Sequence, residues 1–280
     1  MTIHIPVLGA PIIQALANCP SGTVIDCTLG GGGHTAMLLE CFAHRSDIQL
    51  IAADQDQSAV DAARIRFASG RIKIIHARFS ELEGPISGLL ADLGWSSDQM
   101  EDTSRGLSFQ REAPLDMRLD QRRDLTARDL LCRDEKWLTD IFSRFGGERY
   151  SRTIARAITR NHEQLITTKD LAELIWRSVP PSARYGRIHP ATRVFQALRI
   201  VVNEEMSELE SLLKLTHRLV PQGLAAIMSF HSLEDRAVKE CFRQKDLFRP
   251  LTKKPIIATD EEQVRNPRSR SAKLRIAQRI

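Results

Sequence analysis

An α/β fold, an open doubly wound sheet interrupted by a helical insert, is predicted for this 280-residue chain by three observations. Short apolar runs recur through the N-terminal third, each closing on a polar or aromatic residue at a turn. Four consecutive glycines, Gly30 to Gly33, follow the first run and lead into a helix-like stretch. From about residue 104 to 190 the strand pattern gives way to helical periodicity, after which apolar runs resume.

The first strand is carried by Val24-Ile25-Asp26-Cys27-Thr28-Leu29, and His34 with Ala36-Met37-Leu38-Leu39 starts the helix beyond the glycines. Backbone without side chains at a strand-to-helix turn lets a nucleotide-like ligand lie against the chain. The spacing is not Gly-x-Gly-x-x-Gly, and no Gly-Lys-Ser/Thr follows, which disfavours a nucleoside triphosphate. The second strand, Ile48 to Ala53, closes on Asp54, roughly 20 residues past the glycines, where a carboxylate would face a ribose diol. A third, Ile72 to Ala77, runs into Arg78-Phe79-Ser80, and a fourth, Ile86 to Ala91, into Asp92-Leu93-Gly94. In a doubly wound sheet the strand C-termini line the ligand crevice, so Asp26, Asp54, Phe79 and Asp92 are expected along it. Asp56, by contrast, reads as a helix cap.

Within the insert, a helix around Trp137 to Phe145 stops at Gly146-Gly147. Another begins at Thr167 with Asp170 in its first turn, buries Leu171, Leu174, Ile175 and Val179, and stops at Pro180-Pro181. Arg152, Arg156 and Arg160 stack along one helical face beside Ile154 and Ile158, either a grip for RNA phosphates or a plain solvent face. A long helix is expected from about Pro190 to His217, with Thr192, Gln196, Arg199 and Asn203 as a polar stripe. That stripe is either an internal hydrogen-bond network or the wall of a polar pocket. After Pro221-Gln222-Gly223 comes the strand Leu224 to Phe230, which sets His231 at the ligand edge, and Ser271 to Ala277 alternates like a last strand. Its neighbours Arg265, Arg268, Arg270, Lys273, Arg275 and Arg279 are divided between phosphate contacts and structural roles. The expected domains are therefore a discontinuous sheet domain, 1–103 and 191–280, and a helical insert, 104–190.

Composition sets the outer bounds. With 42% apolar residues the chain can bury a full α/β core and carry a second lobe. Its five cysteines form no Cys-x-x-Cys pair and no zinc spacing, so they read as reduced, the home as cytoplasmic, and no metal ligand set is expected. The N-terminus lacks a cationic leader with an apolar core, and no apolar run approaches bilayer length. The net charge of +5 is modest, but its clustering suits a polyanion.

Several segments carry a resemblance. Asp26-Cys27-Thr28-Leu29-Gly30-Gly31-Gly32-Gly33-His34, Asp92-Leu93-Gly94-Trp95-Ser96-Ser97, Arg105-Gly106-Leu107-Ser108-Phe109, Pro114-Leu115-Asp116-Met117-Arg118, His189-Pro190-Ala191-Thr192-Arg193, Ser229-Phe230-His231-Ser232-Leu233-Glu234-Asp235-Arg236 and Asn266 to Arg275 closely resemble, in order, the RsmH (MraW) type of bacterial ribosomal RNA methyltransferase. The resemblance covers nearly the whole chain. It implies a class I methyltransferase domain that uses S-adenosylmethionine to methylate N4 of a cytidine in small-subunit (16S) ribosomal RNA, with the helical insert as the RNA-recognition lobe. By that resemblance Gly32, Gly33, His34, Asp54, Phe79, Asp92 and Gln99 would contact the cofactor. Trp95, His189, Arg193, Asn203 and His231 are the substrate-binding candidates, and the oligomeric state stays open, a homodimer among the alternatives. The chain departs from the family at Trp95, usually valine, and at Asp98, usually proline. A tryptophan there offers a ring for a flipped base, although the two prolines that accompany such a ring in other amino-methyltransferases are absent.

The chemistry suits these residues. The lone pair on N4 of cytosine is delocalised into the ring, so the amine needs aiming, and an acceptor for its proton, rather than a covalent nucleophile. Asp92 is the candidate acceptor, and the absence of a Pro-Cys dipeptide gives no support to a C5-methylating thiolate. Two rival classes are a nicotinamide-dependent oxidoreductase, separable by cofactor titration, and a non-enzymatic RNA-binding protein, separable by a methyl-transfer assay.

Overall fold

The computed structural model describes residues 6–68, 70–93, 104–186 and 188–280. These form two compact units, Met1–Ser96 with Ser207–Ile280, and Ser97–Met206. In chain order the first unit carries α1 (Gly9–Leu16), β1 (Gly22–Asp26), α2 (Gly33–Cys41), β2 (Ile48–Asp54), α3 (Gln57–Arg66), β3 (Ile72–His76) and β4 (Ile86–Asp92). The helical unit follows with α4 (Ala127–Leu131), α5 (Glu135–Arg144), α6 (Ser151–Asn161), α7 (Thr168–Ser178), α8 (Pro181–Arg184) and α9 (Ala191–Val202). The chain continues through α10 (Glu205–Thr216), β5 (Leu219–Ser229), α11 (Ser232–Phe242), β6 (Phe248–Pro250), α12 (Asp260–Arg265) and β7 (Lys273–Arg279).

The sheet runs β3-β2-β1-β4-β5-β7-β6. The strands from β3 across to β5 are parallel, whereas β7 lies antiparallel to both β5 and β6. Strand order therefore reverses between β1 and β4, and a crevice opens beyond their C-terminal ends. Asp26 closes β1 opposite Leu90, and Asp92 closes β4 opposite Met228. Strand β4 is buried almost throughout, as a central parallel strand covered on both faces must be. One cluster packs Val24, Leu50, Leu90 and Met228 against Ile12, Leu16 and Leu38, and further along the same face of β2 Ala52 meets Val60 and Ala63.

The helical unit is closed by amphipathic faces. On α6, Ile154, Ala155 and Ile158 point inward while Arg152, Arg156 and Arg160 stay outside. Thr167 and Asp170 cap α7 reciprocally, as the Thr-x-x-Asp spacing predicts.

Three expectations need correction. The helix read from Pro190 to His217 is two helices, broken at Asn203 and Glu204, where Glu204 has φ 51. Asn203 turns its amide back onto the Arg199 carbonyl at 3.0 Å, and Arg199 spans the break to Glu205 at 2.8 Å. The second domain boundary falls at 206 instead of 190, because α9 buries Val194, Phe195 and Leu198 within the helical unit. Strand β5 starts at Leu219, with Gln222 at φ 65 and a register shift between Ile86 and Gly88 absorbing the Pro-Gln-Gly segment.

Candidate active site

The glycine turn is built around Asp54. At the end of β2 its Oδ2 accepts the Gly30 N–H at 2.8 Å and its Oδ1 the Asp56 N–H at 2.9 Å. Burial pushes the Asp54 carboxyl up to about 6, against the lowering effect of those two N–H groups. Asp56 itself caps α3 by accepting from the Ser58 N–H, the structural role the sequence predicts. Gly32 caps α2 at φ 72, and a Cβ there would lie 2.8 Å from the Phe67 ring, so only glycine fits. Having no side chain, it leaves the first-turn N–H groups of α2 facing outward for an anionic ligand group.

Beside that turn, the ends of β1 and β4 are tied together. Asp26, fully buried, accepts from Thr35 Oγ1 at 2.6 Å and from the Thr28 N–H at 3.1 Å, and burial raises its carboxyl above the usual range. Thr28 in turn accepts the Asp92 N–H at 2.6 Å, which fixes the backbone from which the Asp92 carboxylate projects. His34 lies almost wholly inside, with Nε2 2.9 Å from the Val7 carbonyl and Nδ1 3.7 Å from Asp92 Oδ2. A carbonyl only accepts, so Nε2 carries the proton. The His34 ring thus anchors the N-terminal segment through the Val7 carbonyl, with Nδ1 the nitrogen nearer Asp92, and its backbone N–H lies in the first turn of α2. Cys27, between these acids, is buried, and burial together with the neighbouring Asp26 charge holds its thiol well above its usual range.

The other candidates at this edge divide. Phe79 is half-buried at the turn after β3, which Ser80 pins to α10 by donating its hydroxyl to Glu208 at 3.0 Å. His231 follows β5 and caps α11, accepting the Glu234 N–H at Nδ1 over 3.4 Å. Its Nε2 lies 2.9 Å from Glu234 Oε1 but is misaligned for a hydrogen bond. The His-x-x-Glu spacing was a capping signal that a functional reading passed over. Thr28 and Thr35, the two hydroxyls that lock the strand ends, carried no sequence signal of their own. Trp95, Asp98 and Gln99 lie outside the described residues.

A family model described as the MraW methylase family matches residues 1–280. The chain belongs to the MraW methylase family. It is 52% identical over 284 residues to a protein of Nostoc punctiforme named Ribosomal RNA small subunit methyltransferase H, covering 99% of this chain and 94% of that one. A protein of the same name from Sorangium cellulosum is 46% identical over 291 residues, covering 99% and 91%.

As an MraW methylase, the protein is an S-adenosylmethionine-dependent enzyme on a class I Rossmann-like sheet. The residues fit that cofactor chemically. Asp54 offers carboxylate oxygens for a ribose diol, the uncapped start of α2 suits a carboxylate, and Asp92 stands beside them at the adjoining strand end.

The remaining MraW candidates lie in the helical unit. His189 and Arg193 sit at the start of α9, where the His189 Nδ1 accepts the Ala191 N–H at 3.2 Å and Arg193 Nη1 lies 3.8 Å from Glu148. Asn203 has a different task from the one expected. Almost fully buried, it accepts the Leu119 N–H at 2.8 Å and donates to the carbonyls of Met117 and Arg199, so it fixes a loop and leaves no face for substrate. With Arg199 on Glu205 and Gln196 on the Phe145 carbonyl, the polar stripe of α9 from Gln196 to Asn203 is an internal network, and Thr192 at its start is exposed. The C-terminal basic cluster is also partly structural: Arg275, 9% exposed, donates to Asp235 at 2.7 Å, and Arg279 donates to the Leu247 carbonyl.

Proposed function

We propose that the protein methylates the exocyclic N4 of a cytidine in the 16S ribosomal RNA of the small ribosomal subunit, with S-adenosylmethionine as donor. The observation that carries this is the β1/β4 crevice, where the Asp54-braced glycine turn and Asp92 meet in a chain that matches the MraW family from end to end. When bound, S-adenosylmethionine supplies a methyl group made electrophilic by its sulfonium. Everything else falls to the protein. Gly33 and His34 present backbone N–H groups, Gly32, whose own N–H goes to the Leu29 carbonyl, lets the ligand approach the turn, Asp54 holds the ribose, and Phe79 borders the same strand edge.

The amine must be aimed along the methyl–sulfur axis, and such positioning supplies on the order of 7–11 kcal/mol of the barrier. Asp92 is the acceptor for an N4 proton, which localises the lone pair on nitrogen as the new bond forms. Thr28 fixes the backbone from which its carboxylate projects. Attack through a Cys27 thiolate, the alternative that leads to C5 products, is opposed by the burial of that thiol. The helical unit serves as the RNA-recognition lobe, and ribosomal RNA as substrate places the enzyme in the cytoplasm. Among the described residues no helix is long and apolar enough to cross a membrane.

Mass spectrometry of nucleosides from small-subunit RNA, prepared with and without the protein, tests the reading. N4-methylcytidine should appear only with the protein, and a C5-methyl or ribose-methyl product instead would overturn the chemistry.

A further inference from the structure

The helical unit contains a recess of about 350 Å³ that the methyl-transfer machinery does not use. Its wall is built by a glycine crossing. At Gly146 a Cβ would lie 2.4 Å from the Arg193 carbonyl oxygen and 2.8 Å from that of Phe142, so only glycine lets the α5–α6 connection pass against α9. Gly147, at φ 60, then turns the chain so that Glu148, Arg149 and Tyr150 face the start of α9.

Each lining group has a defined state. Glu148 is 4% exposed, accepts the Tyr150 N–H at 2.8 Å, and faces Arg193 across 3.8 Å. A buried carboxylate thereby orients a guanidinium that is itself 44% exposed. Arg149 is exposed, lies 5.9 Å from the Tyr150 ring centre, and has no ion-pair partner among the described residues. The His189 ring is held at Nδ1 by the Ala191 N–H and packs on Phe109 at 4.9 Å, which in turn sits edge-on to Phe195. With Nδ1 accepting, the proton is on Nε2, which has no partner among the described residues and is free to donate into the recess.

Two guanidinium groups, two ring faces and a fixed donor form a set that recognises a nucleotide with its base unstacked. We propose that this recess seats one unpaired nucleotide of the RNA substrate, its phosphodiester on Arg149 and Arg193 and its base against the Tyr150 and His189 rings. The inference rests on the reading of RNA as substrate, and it adds a recognition site that lies wholly within the helical unit.

The test uses the full chain, small ribosomal subunits for turnover, and a single-stranded 16S-derived oligonucleotide carrying 4-thiouridine for cross-linking. Arg149→Gln, an exposed and unpaired position, should raise the KM for subunits about tenfold, lower the salt slope of RNA binding by about one, and leave S-adenosylmethionine affinity unmoved. Arg149→Lys should restore the slope, and His189→Ala should reduce cross-linking without changing it. Photo-cross-links should fall in residues 148–150 or 188–193. Unchanged KM and slope in Arg149→Gln, or cross-links confined to other peptides, would overturn the proposal. Because cross-linking needs no turnover, an unexpected methylated product would count against the proposed reaction and not against this site.

Discussion

The sheet edge and the helical unit handle charge in opposite ways. At the crevice, the carboxylates of Asp26 and Asp54 are buried, and each is held by two short bonds from its own neighbourhood. In the helical unit the arginines of α6 point outward, and the acid that serves two of them, Glu135, stands on the neighbouring α5. Buried, hydrogen-bonded acids lose their freedom before a ligand arrives, which suits a site that must place atoms to within a fraction of an ångström. Exposed guanidinium groups keep their freedom and exchange counterions for phosphates, which suits a long, irregular polyanion. Precision and reach are thus assigned to different parts of one chain.

The largest effect should come from the precise end. Replacing Asp92 by Asn removes the proton acceptor while the backbone bond to Thr28 survives, so methyl transfer should fall by about 10² to 10⁴-fold with cofactor affinity mostly kept. Single-turnover assays on small subunits read this directly, and wild-type rates in the variant would remove Asp92 from the mechanism. Asp54→Ala comes next. It deletes the ribose acceptor and also the brace of the Gly30 turn, and losing a charged hydrogen bond worth about 1.5–3 kcal/mol weakens S-adenosylmethionine binding by roughly one to two decades. Unaltered calorimetric affinity would leave Asp54 a structural residue.

The acid at position 54 also ties binding to pH. Burial raises its carboxyl to about 6 in the folded chain, and a diol donates best to the ionised form, so cofactor affinity should drop as pH falls through 6, by about tenfold at pH 5. Stability moves the other way. A folded pKa above the ordinary aspartate value of 3.8 means that the native state binds more protons than the unfolded chain between those two values, so this group's contribution to stability is lost as pH rises across that window. Titration calorimetry at pH 5 and 7 checks the binding half, which Asp54→Ala should abolish.

How far the sequence reached follows the same division. Strand ends announce themselves, because an apolar run followed by an acid or a glycine is a local pattern; Asp26, Asp54 and Asp92 were all legible. Asn203 was misleading for a physical reason. Its place on the polar stripe is local, but its partners Met117 and Leu119 are distant in sequence, and nothing near Asn203 marks them. The domain boundary erred likewise, since only packing shows which unit α9 belongs to. Short edge strand β6, Phe248–Pro250, ends on a proline that carries no strand signature, and pairing with β7 alone defines it.

The smallest effect is expected at the α6 stripe, and it is the one that most sharpens the contrast between the two regions. Arg152 and Arg156 both approach Glu135, at 3.8 and 3.3 Å, so the stripe carries less net charge toward RNA than three free arginines would. Exposed pairs of this kind are weak and yield to a competing phosphate. Replacing Arg152, Arg156 and Arg160 together by glutamine should therefore flatten the salt slope of RNA binding by about one to two, with cofactor affinity untouched. Glu135→Gln supplies the converse. Releasing both arginines from their shared acid should tighten RNA binding and steepen the slope, an outcome that loss of folding cannot imitate. A slope unmoved by either change would make this face of α6 ordinary solvent surface and would leave RNA recognition in the helical unit to other arginines.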